Sequence, residues 1–475
     1  MKKIVFCFDG TSNVLDAVNP TNVVTTACAV AKYDDNEIQQ VVYYDQGVGV
    51  AKNQSITGGA FGLGLYANVL EAYSYLIFNY EPDDEIYIFG FSRGAYTARS
   101  FAGFIRKAGI LKRRHADKIG RMSWHYQEGQ HAPNADVELL GLRLDYGLPI
   151  CVDQAEDGYK CERLHGYKSG DHPKIQLKYV GVWDTVKTLG LRPNSRKHLF
   201  HNDKLSSFVQ MARHAISLDE RRKKFDVTPW SNVDELNREV GKDVADIDRP
   251  YQQVWFPGTH GGVGGGGDIR GLSDAALIWI WEGARQAGLK LDLVIGSKVF
   301  DIMPDPITPI DNMSKEAKRK IKSKNIGKRV GAFGMKHVLI KHDRSGPYHP
   351  YEVHETAVIL KAAPANTLPD KKAYNPKSLN KVLPLLEDRI SQYSKEDFYK
   401  RLEQDGEYEN GEEVEIDGEK FKVHTIDEKD SRGLSFISKR YYGTANKWRK
   451  IYDANRSVII DFNKIYIGQK ILIPI

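Results

Sequence analysis

Short apolar runs separated by helix-length stretches organise the first two-thirds of the chain. Residues 4–8, 41–44, 85–89, 175–183 and 252–256 predict strands. Their apolar positions are mostly continuous rather than alternating, the pattern of a sheet covered on both faces. Between them, Leu65, Val69, Tyr73 and Leu76 recur at helical spacing and Pro82 follows as a stop. Residues 95–108 and 275–287 predict helices as well. Strands alternating with helices predict an open, mainly parallel α/β sheet. The stretch 112–173 is polar, holds several histidines and has no clear period, and it reads as an inserted cap or lid. Residues 312–329 are lysine-rich with helical character and read as a solvated basic helix rather than a membrane-surface patch. Past Ala362 the composition shifts to Pro, Asn, Lys and acidic residues. The division expected is one α/β domain over 1–360, a linker over 361–420 and a compact ending over 421–475.

Composition adds little that is specific. At 475 residues the chain suits one large domain and something smaller. A formal net charge of +6 is mild for this length, and no basic stripe interleaved with aromatics points to nucleic acid. The four cysteines, Cys7, Cys28, Cys151 and Cys161, form no Cys-x-x-Cys and read as inert thiols. Cys151 and Cys161 remain able to pair in an oxidising compartment. No metal site or cofactor is expected. The opening apolar run is too short for a signal peptide and reads as the first core strand. No stretch is long and apolar enough to span a bilayer, so synthesis without a leader or membrane anchor is expected.

The chemistry begins at Gly90-Phe91-Ser92-Arg93-Gly94, where an apolar strand runs into Gly-x-Ser-x-Gly and then a helix. That context fits a nucleophile elbow, a strained turn that lifts a serine hydroxyl above a sheet. A serine needs a base, and the base needs an orienting carboxylate. Asp184 ends the apolar run 178–183, and His260 follows the run 254–256 on a Gly-rich loop, Gly261–Gly267, that reads as flexible support for it. The order Ser92, Asp184, His260 is that of α/β-hydrolases, and each residue sits past the carboxyl end of a predicted strand. The Arg93 N–H and the Asp9-Gly10-Thr11 turn are candidates for the oxyanion hole, through Gly10 and Thr11, with Asp9 holding the loop. A plain Asp-Gly turn explains that segment equally well.

Other signals are weaker. His214 and Asp219, in a stretch that reads as helical, form the rival base and acid, and His354-Glu355 is a third candidate. Gly62-x-Gly64 follows no strand and reads as helix-start packing, and Gly261–Gly267 lacks the lysine of a P-loop. A haloacid-dehalogenase phosphatase would need an aspartate where Cys7 stands.

Taken together, several segments resemble the type VI secretion phospholipase effector family, over residues 1–360. They are Phe8-Asp9-Gly10-Thr11, Tyr44-Asp45-Gln46-Gly47-Val48-Gly49, Gly90–Arg99, Val182-Trp183-Asp184-Thr185-Val186, Leu218-Asp219-Glu220-Arg221-Arg222 and Phe256-Pro257-Gly258-Thr259-His260. The resemblance implies an α/β-hydrolase-like esterase acting on glycerophospholipids of a membrane, with Ser92, Asp184 and His260 as its triad. It also implies a secretion spike protein and a cognate immunity protein as partners. Where that family often carries an aspartate two residues after the histidine, this chain has Gly262. The ending resembles a LysM domain through Gly433–Gly443, Trp448–Asn455 and Tyr466–Pro474. Its pattern predicts a βααβ unit, and the resemblance implies binding of peptidoglycan or another N-acetylglucosamine-containing glycan. Ser431 departs from the usual glycine-aspartate-threonine opening. The reading from another class is a non-catalytic glycan-binding or secretion or phage-tail assembly protein on a hydrolase shell.

Overall fold

The computed structural model describes residues 1–10, 13, 15–47, 60–128, 135–150, 174–186, 203–291, 302, 304–319, 342–390, 392–395, 398, 410–416, 419–455, 459, 465 and 470–475. Two compact units are present: residues 1–291 with 304–387, and residues 292–303 with 388–475.

Six parallel strands form the sheet of the first unit, in the order β2-β1-β3-β4-β5-β6. They are β1 Lys3–Phe8, β2 Gln40–Asp45, β3 Glu85–Phe91, β4 Gln176–Trp183, β5 Met211–Ser217 and β6 Tyr251–Phe256. Every residue of β1 is buried, as its unbroken apolar run requires. Helices α1 (Asn22–Ala29), α2 (Ala60–Asn79), α3 (Arg93–Ala108), α4 (Ile119–Glu128) and α5 (Ala135–Tyr146) come before β4. After it come α6 (Val233–Glu239), α7 (His260–Gly264), α8 (Gly271–Gln286) and α9 (Glu355–Ala362). The largest core cluster joins β1 and β3 to α2 and α3 through Phe6, Phe8, Tyr73, Phe101 and Phe104. The opposite face carries α8, whose backbone accepts hydrogen bonds from Tyr179 Oη and Trp183 Nε1 of β4.

Strand order reverses at β1, which pairs with β2 on one side and β3 on the other. The crevice beyond the carboxyl ends at such a switch point is where open α/β sheets place ligands.

Two expectations need correction. Residues 211–217 form a strand, not a helix. Its polar side chains mask it: Arg213 reaches the Trp279 carbonyl, Glu282 and Gln286 on α8, and His214 bonds Gln253 and the Thr185 N–H. Second, the expected linker is partly core, because residues 361–387 pack in the first unit, with Leu368, Tyr374, Leu379 and Val382 buried. Of the stretch 112–173 read as a cap, α4 and α5 are described, while residues 151–173, with Cys151 and Cys161, lie outside the described residues. Most of 312–329 lies outside them too.

In the second unit, β7 (Glu413–Ile416), β8 (Glu419–Thr425) and β9 (Lys470–Pro474) form an antiparallel sheet in that order. Two helices, Leu434–Tyr442 and Trp448–Ala454, follow β8. Ile426, Leu434, Ile437, Ile451, Ile471 and Ile473 close its core.

Candidate active site

Strand β3 ends at Phe91, and Ser92 stands between it and α3 with φ 59° and ψ −119°. A non-glycine residue on the left-handed side stores about 1–3 kcal/mol, held by its surroundings. Those surroundings include the flanking glycines. A Cβ on Gly90 would meet the Gly94 carbonyl oxygen at 2.6 Å, and one on Gly94 would overlap the carbonyl oxygens of Phe8 and Asp9. The turn is also tied to the next strand: Ser92 N–H donates to the Trp183 carbonyl at 3.0 Å, and Val186 N–H to the Ser92 carbonyl at 3.2 Å. The residue after Trp183 is Asp184, so one ladder brings serine and carboxylate side by side.

Asp184 is fully buried, with φ 41°. Its N–H donates to the Ala215 carbonyl, and its Oδ1 accepts the Ser217 N–H at 2.9 Å. Its Oδ2 accepts from His260 Nδ1 at 2.6 Å. With Nδ1 as donor, the other ring nitrogen is an acceptor, and Ser92 Oγ donates to His260 Nε2 at 2.8 Å. The three residues thus form one hydrogen-bonded relay, 6 % or less exposed.

His260 opens α7, and its ring lies between Phe91 and Phe225, with ring centroids 4.6 Å and 4.9 Å away. Its N–H donates to Glu220 Oε2 at 3.2 Å. The glycine run behind it is not flexible support, since Gly261–Gly264 complete a helical turn. A Cβ on Gly264 would collide with the Phe91 ring, so the small residue lets α7 close on the elbow.

Sequence reasoning missed Arg344. From a segment beyond α8, its Nη1 donates to Asp184 Oδ1 at 2.5 Å and its Nη2 to Oδ2 at 2.9 Å. The same nitrogens donate to the carbonyls of Ser217 and Phe225. Burial alone would raise the Asp184 carboxyl, but the Arg344 guanidinium and the His260 hydrogen bond hold it well below the usual carboxylate range. Nothing in the local pattern marks Arg344; only the need of a buried carboxylate for a counter-charge could have found it.

The rival pair is not brought together. His214 Nε2 accepts the Thr185 N–H at 3.2 Å and its Nδ1 pairs with Gln253 Oε1 at 3.1 Å. Burial and the Arg99 charge push this imidazole down to about 3, so it is neutral. Asp219 lies elsewhere, its Oδ2 accepting from Gly258 N–H and Tyr374 Oη. Burial pushes that carboxyl up to about 6 against those two bonds. It lines a cavity of about 620 Å³ together with Leu218, Arg344, Leu360 and Leu368, away from Ser92. His354 caps α9 and stacks on Phe256.

Around the Asp9 turn the outcome is mixed. Asp9 holds the loop, accepting from Gly10 N–H, Asn13 Nδ2, Thr21 Oγ1 and Tyr44 Oη. Burial raises its carboxyl, and the four bonds oppose that rise. Gly10 lies beside Ser92, but its N–H is engaged by Asp9 Oδ1 at 2.6 Å, so the oxyanion share expected of that donor is not offered in this geometry. Thr11 lies outside the described residues. Arg93 is the first residue of α3, at the helix end where backbone N–H groups point outward. Among the described residues, no group of three or more His, Cys, Asp or Glu side chains could hold a metal ion. No helix among them is long and apolar enough to cross a membrane.

An uncharacterised protein of Saccharomyces cerevisiae is 29% identical over 239 residues, 47% of this chain; the chain spans only 32% of the yeast protein's length. A crystal structure of an uncharacterised protein from Pseudomonas aeruginosa is similar at TM-score 0.38 and 16% identity, over 98% of this chain and 76% of that one. The Tle1 effector bound to the VgrG spike of the type 6 secretion system is similar at TM-score 0.37 and 14% identity, over 73% of this chain and 85% of that one. Residues 2–283 match the family described as the T6SS phospholipase effector Tle1-like catalytic domain, so the chain belongs to the Tle1-like family.

Proposed function

We propose that this protein is a serine esterase that hydrolyses acyl esters of glycerophospholipids, delivered by a type VI secretion system as an antibacterial effector. The observation that carries the reading is the relay itself, Ser92 Oγ to His260 Nε2 at 2.8 Å and His260 Nδ1 to Asp184 at 2.6 Å. His260 takes the hydroxyl proton as Ser92 Oγ adds to the ester carbonyl carbon. Asp184 keeps the ring oriented and stabilises the imidazolium. The Arg93 N–H is assigned to the oxyanion. Collapse breaks the ester bond, the departing lysophospholipid oxygen takes the proton from His260, and an acyl-enzyme remains. Water, deprotonated by His260, then releases the fatty acid and restores Ser92.

Family membership supports a lipid substrate, and the relay supports ester chemistry. The tail is assigned as a LysM unit on its β-strand, two-helix, β-strand order and isoleucine core, and it would hold the enzyme against peptidoglycan in the target-cell periplasm. A spike protein is assigned as the delivery partner because a Tle1 effector has been seen bound to the VgrG spike. An immunity protein would protect the producing cell.

The test is product analysis on phosphatidylethanolamine vesicles. Wild-type protein should release lysophospholipid and fatty acid in equal amounts, and folded Ser92→Ala neither. Equal turnover by the two proteins removes the reading. Inactivity of the folded wild type favours the non-catalytic glycan-binding or assembly role.

A further inference from the structure

Asp184 has no exposed surface and accepts from three directions besides His260: the Ser217 N–H and both terminal nitrogens of Arg344. Those nitrogens also bond the carbonyls of Ser217 and Phe225, so the guanidinium plane is set by four acceptor contacts. Arg344 is 5 % exposed, and its Nε has no hydrogen-bond partner among the described residues. A flat fork against a carboxylate fixes the plane as well as the position of that carboxylate, which an ammonium cannot do. Residue 344 also lies beyond residues 2–283, the part of the chain matched to the family.

We propose that Arg344 is a positioning residue of the relay: it fixes the Asp184 carboxylate plane toward His260 Nδ1 and offsets its charge. This rests on the esterase reading for its catalytic meaning, not for its geometry. Two consequences separate it from a merely structural ion pair. Without the fork, the carboxylate is free to turn, and loss of alignment by about 1 Å costs on the order of 10²-fold in rate. Without the positive charge, the His260–Asp184 pair binds its proton more tightly, whichever site carries it. The acidic limb of activity then moves to higher pH.

The other charged and titratable groups facing the pair leave that sign unchanged. Ser92 faces His260 from the elbow, and the neutral His214 ring lies on β5 behind Thr185. The Glu220 carboxylate sits at the His260 N–H with Arg222 bonded to it. His214 and the cavity-lining Asp219 also feel the Arg344 charge, and its loss raises both, whereas Glu220 keeps its Arg222 partner.

The experiment compares wild type with Arg344→Met and Arg344→Lys in the full chain. One readout is kcat, with kcat/KM, for p-nitrophenyl butyrate from pH 4 to 9. The other is the His260 ring ¹⁵N titration, assigned through His260→Gln, which needs no turnover. Arg344→Met should lose about 10²-fold in kcat. Its acidic limb and ring titration should both rise by about one pH unit or more. Arg344→Lys, keeping the charge without the fork, should lose kcat while its limb stays near wild type. Folded Arg344→Met with wild-type kcat and an unmoved titration overturns the proposal. If Arg344→Met fails to fold, wild-type kcat in Arg344→Lys overturns it instead. Should wild type cleave no ester, the esterase reading fails, and the ring titration still decides whether Arg344 governs the pair.

Discussion

Asp219, half-buried, and Asp184, fully buried, are acids pushed in opposite directions, and replacing Asp219 isolates one of them. The Asp219 carboxyl accepts from Gly258 N–H at 2.7 Å and from Tyr374 Oη at 2.8 Å, both at one oxygen. Among the described residues no cation pairs with it; the Arg344 charge lowers it but is engaged by Asp184. Burial raises it from an ordinary 3.8 to about 6. The folded state therefore holds this proton more tightly than the unfolded chain. Its contribution to stability is fully present below about pH 4 and is lost as pH rises through about 6. Full conversion of that displacement gives about 3 kcal/mol, and access to the water of the cavity it lines trims this to about 1–3 kcal/mol. Asp219→Asn keeps an oxygen for both donors and removes the charge. The variant should match wild type near pH 4 and exceed it by about 1–3 kcal/mol at pH 7–8. Urea unfolding followed by tryptophan fluorescence measures this, because six of the seven tryptophans lie in the first unit. Ester hydrolysis should stay near wild type, since the Gly258 anchor is kept. A stability difference that does not change with pH refutes the reasoning, and so does loss of hydrolysis in a folded variant.

Asp184→Asn should behave in the opposite way. It strands Arg344 and costs about 3–5 kcal/mol, and by misorienting His260 it lowers kcat by about 10³–10⁴-fold. Because the Asp184 carboxyl is held low, its contribution is present above about pH 4 and is lost as pH falls below it. Urea midpoints between pH 2 and 5 should show that loss in wild type and not in the variant. Gly94→Ala should destabilise by about 1–3 kcal/mol and slow labelling of Ser92 by a fluorophosphonate, since its Cβ overlaps the carbonyls of Phe8 and Asp9. In pelleting assays with purified peptidoglycan, the full chain should sediment and residues 1–419 should not; equal sedimentation removes the wall-binding role of the tail.

Much of the sheet was legible because burial on both faces leaves unbroken apolar runs, as in β1 and β3. Strand β5 was not, because Arg213 and His214 interrupt the pattern and find their partners only in tertiary structure. The positions of Ser92, Asp184 and His260 could be read because each follows a strand that could itself be read. Arg344 could not: it stands alone in its segment, 160 residues from the carboxylate it holds. Residues 361–387 have the composition of a linker, yet Leu368, Tyr374, Leu379, Val382 and Leu386 are buried, so composition misplaced the boundary. At the Asp9 turn, the sequence suggested that Gly10 is close to the nucleophile, but whether its N–H is free depends on where the Asp9 carboxylate sits.

The most direct measurement of the central claim is covalent labelling of the native full chain with a fluorophosphonate, read by intact mass and peptide mapping. One adduct at Ser92 is expected, absent in folded Ser92→Ala and slowed in Asp184→Asn. No adduct on well-folded wild-type protein, or an unchanged adduct in Ser92→Ala, contradicts the assignment of Ser92 as the nucleophile.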